Sequence, residues 1–144
     1  MRPDVLVGAW DLVSCEVVSE SKPRSYPLGE GAIGVLNYSP CGTMSVAIMR
    51  DGRPRFDAPD ILLGSESERA AAAAGYLSYA GRYELEGNIV RHRIEVSLFP
   101  NWIGTVQERH VTVDERSLTL STDPIDLGGV RAVARMTWRR RAIA

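Results

Sequence analysis

The sequence predicts an all-β protein: about eight antiparallel strands in an up-and-down barrel, with one α-helix in mid-chain. Three observations lead there. Short runs of alternating apolar and polar residues recur along nearly the whole chain; turn residues such as "SPCG", "EGN" and "DER" punctuate them; and one alanine-rich stretch, "SESERAAAAAGYLSYAG", breaks the pattern. About eight strands suffice to close a sheet on itself and remove its edges.

The strands are "GAWDLVSCEVV", "AIGVLNYS", "TMSVAIMR", "AGRYELE", "NIVRHRIEVSLF", "IGTVQERHVTVD", "SLTLST" and "VRAVARMTWRR". If Trp10 of the first strand points inward, alternation also turns Leu12, Ser14 and Glu16 inward; the opposite phase puts Val13, Cys15 and Val17 inside. In "SPCGT", Pro40 suits a type I turn and Gly42 the left-handed bulge residue, so Tyr38 should oppose Met44, Leu36 oppose Val46 and Gly34 oppose Ile48. The segment "DGRPRFDAPDILLG", Asp51–Gly64, is long and irregular, which makes it a candidate lid. Ser65 with Glu68 forms a capping box, and the alanines extend a helix over Ser65–Tyr79. With Gly87 and Asn88 as a two-residue turn, Leu85 pairs with Val90, Tyr83 with His92 and Gly81 with Ile94, while Glu84 faces Arg91 outside. Counting through "FPNW" as the next loop sets Leu98 against Ile103, Val96 against Thr105, Ile94 against Gln107 and His92 against Arg109. A turn at Glu115 and Arg116 then sets Val113 against Leu118 and Val111 against Leu120.

Composition bounds the partners. The 144 residues suit a single domain spanning 1–144, and a formal charge of −1 provides no field that would draw in nucleic acid or anionic lipid. The N-terminal "MRPDVLVGAW" has no apolar leader core, and no apolar run is long enough to span a bilayer, so the expectation is a cytoplasmic protein without a membrane partner, monomeric or homodimeric. Two cysteines, Cys15 and Cys41, are too few for a disulfide framework or a CxxC site, and alternation puts the two histidines, His92 and His110, on opposite faces. No metal and no cofactor are expected.

The registers place Tyr38, Tyr83, His92, Gln107 and Arg109 on inner faces whose other members are Leu36, Met44, Val46, Ile48, Leu85, Val90, Ile94, Val96, Val111 and Met136. An apolar concavity with a few convergent polar groups describes a small-molecule site. The candidate ligand-binding set is Tyr38, Met44, Val46, Ile48, Tyr83, His92, Ile94, Gln107, Arg109 and Met136, with Phe56 and Trp102 beside the route of access. His92 also has a plain structural reading, as a core histidine satisfied by the Tyr83 hydroxyl. Trp10 and Trp138, near the two ends of the chain, are expected to plug the other end of the barrel.

Gly-x-Trp on the first strand, "YSPCGTMSVAIMR", "VSLFPNWIGT" and the terminal "TWRR" make the chain resemble the bacterial lipocalin-like domain proteins of the calycin superfamily. The resemblance spans roughly Val7 to Arg139. It implies a barrel with an internal ligand cavity, Gly8 and Trp10 in the Gly-x-Trp positions, and Arg139, or else Arg135, packed on that tryptophan. Two functions follow as expectations. The first is binding of a small hydrophobic molecule, polyketide-, isoprenoid- or lipid-like, inside the barrel. The alternative is a cofactor-free cyclase or isomerase acting on a natural-product intermediate, with His92 or Tyr83 as general acid/base and Arg109 steadying an oxyanion.

Overall fold

The turns named above are where the sheet folds back. In the computed structural model, which describes residues 1–142, Gly42 takes φ 89° and Ser39 bonds Thr43 through its amide at 2.9 Å. β2 (Ile33–Tyr38) and β3 (Thr43–Met49) then pair as expected, Tyr38 with Met44, Leu36 with Val46 and Gly34 with Ile48. Gly87, at φ 59°, turns β4 (Tyr76–Glu86) into β5 (Ile89–Ser97), with Leu85 opposite Val90 and Tyr83 opposite His92. β6 (Val106–Val113) and β7 (Ser117–Ser121) meet with Val111 opposite Leu120. β9 (Val130–Arg140) pairs with both β7 and β1 (Gly8–Val18), and this second pairing closes an antiparallel barrel of eight strands. A short strand that alternation did not reveal, β8 (Ile125–Leu127), forms a hairpin with β9.

Four details depart from expectation. Helix α1 covers only Glu66–Ala74, because Gly75 caps it and the chain leaves at once as β4; Tyr79 is therefore a strand residue. The capping box itself is present: the Ser65 hydroxyl accepts from the Glu68 amide at 3.1 Å, and the Glu68 carboxylate accepts from the Ser65 amide at 3.0 Å. In β1 the register shifts between Leu12 and Ser14, so Trp10 and Leu12 face the core, Val13 bulges out, and Cys15 opposite Met136 resumes the inner face. Neither simple phase holds throughout. Glu16 lies on the other side of the sheet, buried under Arg24 at 3.4 Å and Arg135 at 3.3 Å.

The third departure is between β5 and β6. His92 opposes Gln107, and Arg109 opposes Val90, a slip of two residues from the count through "FPNW". That segment is a 3-10 turn, Pro100–Trp102, inside a wider connection in which Ile94 bonds Thr105 and Gly104. A slip of two preserves the inner face. The fourth is a bulge between Ala80 and Gly81, where Gly81 opposes Ile94 but Ala80 opposes Val96. The extra residue, Glu95, reverses the alternation, so Val96 is 61% exposed and Ser97 turns inward. A Cβ at position 81 would lie 1.9 Å from the Arg93 carbonyl, so only glycine fits the bulge.

The strand directions gather the N-terminus and the three tight hairpins at one end of the barrel. Trp10 seals it: the ring is fully buried, its Nε1 donates to the Leu6 carbonyl at 3.0 Å, and the Arg140 guanidinium lies 4.1 Å above it. The arginine on Trp10 is thus Arg140, not Arg139 or Arg135. Arg140 also donates to the carbonyls of Val7 at 2.7 Å, Val5 at 2.8 Å and Glu115 at 3.0 Å. At the opposite end lie α1, the Asp51–Gly64 segment without regular structure, and the β5–β6 connection. Among the described residues, no helix is long and apolar enough to cross a membrane.

Candidate functional site

The centre of the inner face is a buried hydrogen-bonded trio. β2 supplies Tyr38, β4 Tyr79 and β5 His92, all facing inward because Leu36, Leu77 and Ile94 two residues away do so. The Tyr38 hydroxyl lies 2.6 Å from His92 Nε2 and the Tyr79 hydroxyl 2.8 Å from Nδ1, so both ring nitrogens are engaged. His92 is 1% exposed. Burial, with the Arg109 charge adding to it, holds the imidazole pKa down at about 3. It is neutral at physiological pH. Burial likewise pushes the Tyr79 phenol up to about 12, against an opposing pull from Arg109, and holds the Tyr38 phenol well above its ordinary value.

Tyr83, although opposite His92 in the ladder, is not the partner of the histidine. Its hydroxyl donates to the Ser39 carbonyl at 2.8 Å, and its ring meets Tyr38 edge-on at 4.7 Å, tying the β2–β3 turn to the barrel. Residue 79, missed because the alanine run carried the helix too far, takes that place. The signal was there: stepping back by two from Tyr83 through Gly81 leads to Tyr79 and Leu77 on the same face. Ser97, also missed, has a buried hydroxyl with no hydrogen-bond partner.

Around the trio, Met44, Val46, Ile48 and Ile94 are buried in the apolar core, with Tyr83, Trp102 and Met136 packed against it. Gln107 and Arg109 share this face further along β6, both half-buried. The Gln107 amide donates to Thr105 Oγ1 at 3.3 Å; Arg109 donates to the Glu108 carbonyl at 2.7 Å and to Gln107 Oε1 at 3.5 Å. Arg109 and His92 are diagonal neighbours across the β5–β6 ladder, with Cβ atoms roughly 7–8 Å apart in such geometry, rather than directly opposed.

Phe56 and Trp102 are not brought together. Phe56 lines a groove between the Asp51–Phe56 segment and α1, floored by Met49, Ala71 and Ala72. Trp102 lines a second groove with Tyr76, Leu77, Leu98 and Phe99, and its ring stands perpendicular to Tyr79 at 5.8 Å. The second groove lies at the barrel rim, and through Trp102 its wall touches Tyr79 of the trio.

Two comparisons with known proteins agree with this architecture. The model of the family described as "Lipocalin-like domain" matches residues 7–141. The 4'-hydroxy-3'-methoxypropiophenone carrier protein ppsC of Aspergillus oryzae is 38% identical over 106 residues, covering 67% of this chain and 96% of that protein. That relative is fungal, so a specifically bacterial origin is not supported.

Proposed function

We propose, on the premise that the chain belongs to the lipocalin-like domain family, that it binds a small hydrophobic molecule inside its barrel and carries it. The observation that carries the reading is the inner face itself: an apolar wall sealed by Trp10 at one end, polar groups converging at depth, and grooves only loops and a short helix away at the other end. The name of the fungal relative, which gives a carrier of 4'-hydroxy-3'-methoxypropiophenone, supports the same class of function. For this chain the cargo is polyketide-, isoprenoid- or lipid-like, held by Tyr38, Met44, Val46, Ile48, Tyr83, His92, Ile94, Gln107, Arg109 and Met136. It enters past Trp102, between Leu77 of β4 and Leu98 and Phe99 of the β5–β6 connection. A catalytic role for His92 finds no support in its surroundings, since a general acid/base works best with a pKa near the operating pH, and this ring sits at about 3 with both nitrogens bonded.

The test is titration of the purified protein with the neutral fluorophore N-phenyl-1-naphthylamine. Saturable binding at one site per chain is expected. Leu77→Trp, which narrows the rim beside Trp102, should weaken it at least tenfold while the circular dichroism spectrum is retained. Absence of saturable binding, or binding indifferent to Leu77→Trp, would sink the proposal.

A further inference from the structure

Resting on the carrier reading, we infer that the cargo ends in an ionised oxygen, a carboxylate or phenolate, and that Arg109 is its anchor. The interior holds a surplus of donors and a shortage of acceptors.

The charge count comes first. Arg109 stands on the inner face opposite Val90, a residue with no exposed surface. Among the described residues no carboxylate lies within ion-pairing distance of it. The neighbouring Glu108 points to the opposite face, where it pairs with Arg91 at 3.2 Å. By contrast Arg135, also part-buried, is matched to Glu16, and Arg140 to backbone carbonyls. A guanidinium presents five N–H donors; Arg109 uses one well, on the Glu108 carbonyl at 2.7 Å, and one at the 3.5 Å limit. Among the described residues its remaining N–H donors meet no protein acceptor.

The proton count agrees. A neutral imidazole has one N–H and one bare nitrogen. Between them Tyr38, Tyr79 and His92 own three such protons and make two hydrogen bonds. Whichever tautomer is present, one tyrosine donates to the bare nitrogen and the other accepts from the N–H, which leaves that second hydroxyl proton without an acceptor. Ser97 adds another buried hydroxyl with no partner. A neutral carbonyl on the cargo would satisfy a hydroxyl. Only an anion also neutralises Arg109, and charge-assisted bonds of this kind are about twice as strong as neutral ones.

The experiment compares 11-(dansylamino)undecanoic acid with its methyl ester, two probes with the same apolar body, at pH 7.5. In the wild type the acid should bind roughly 10–100-fold more tightly, the range for hydrogen bonds to charged groups. Arg109→Gln should erase that gap by weakening the acid alone, and Arg109→Lys should restore part of it. Arg116→Gln, which removes a cation from a surface turn at the sealed end, should leave the gap intact. Equal binding of acid and ester by the wild type, survival of the gap in Arg109→Gln, or its loss in Arg116→Gln would each overturn the anionic-cargo inference while leaving the carrier reading standing on the ester. Failure of both probes to bind would sink both.

Discussion

Replacing Trp10 tests whether the sealed end is structural. The side chain is fully buried, its indole N–H is spent on the Leu6 carbonyl, and its ring supports the Arg140 guanidinium at 4.1 Å. Trp10→Ala removes one of the two buried tryptophans near that end and leaves a cavity, for which core tryptophans typically cost about 3–5 kcal/mol. The cation–π contact contributes up to about 2 kcal/mol and the hydrogen bond about 1 kcal/mol; these overlap with the cavity figure and are not added to it. A domain with roughly 5–15 kcal/mol in all can lose its fold at the upper end of that loss. Trp10→Phe is therefore the companion variant: it keeps most of the packing, abandons the Leu6 carbonyl, and should cost about 1–3 kcal/mol. Urea unfolding followed by circular dichroism gives both numbers, with probe binding measured alongside. A loss under about 1 kcal/mol for Trp10→Ala, or a large fall in affinity with unchanged stability, would show that the end assigned as sealed is the functional opening.

Three further outcomes are expected. His92 has a pKa of about 3 in the fold and about 6.5 when unfolded, so the unfolded chain binds the extra proton and stability must fall as pH drops through that window; about 1.6 kcal/mol should disappear between pH 6.5 and 5, and His92→Gln should abolish that slope in urea titrations. Gly81→Ala forces a Cβ against the Arg93 carbonyl and should cost at least about 3 kcal/mol or shift the β4–β5 register, seen as altered amide shifts confined to those strands; an unperturbed melt would refute the bulge. Amides of Asp51–Gly64 should exchange with solvent far faster than those of β3–β5, because the segment has no ladder bonds, and exchange as slow as the central strands would remove it from any gating role.

Most of the fold was legible because hairpin turns carry their own register. Pro40 with Gly42, Gly87 with Asn88, and Glu115 with Arg116 each fixed a pairing that the structure repeats. What escaped were insertions that alternation cannot signal: Val13 in β1 and Glu95 in β5 each add one residue, and the side chains beyond them change sides. Hence Val96 was expected inside and Ser97 outside, the reverse of what is found. The wide connection around Pro100–Trp102 moved Arg109 by a pair without changing its face. The polar character of the interior was therefore readable, its hydrogen-bond partners were not. The Tyr79–His92 bond depended on where an alanine-rich helix stops, and local propensity favours continuing such a helix until tertiary pairing, here with β3, takes over.

Arg140 and β9 also set the order in which the molecule can be finished. β1 pairs with β9, and Arg140 holds the carbonyl of Val5, 135 positions earlier in the chain. During synthesis at about 5–20 residues per second, the first strand waits on the order of ten seconds with one edge bare before its neighbour is made. Nothing upstream can substitute, because β2 occupies only the other edge. The sheet can close only once β9 is available, and a chain that lacks "TWRR" is left with two bare margins, on β1 and β7, and no Arg140 over Trp10.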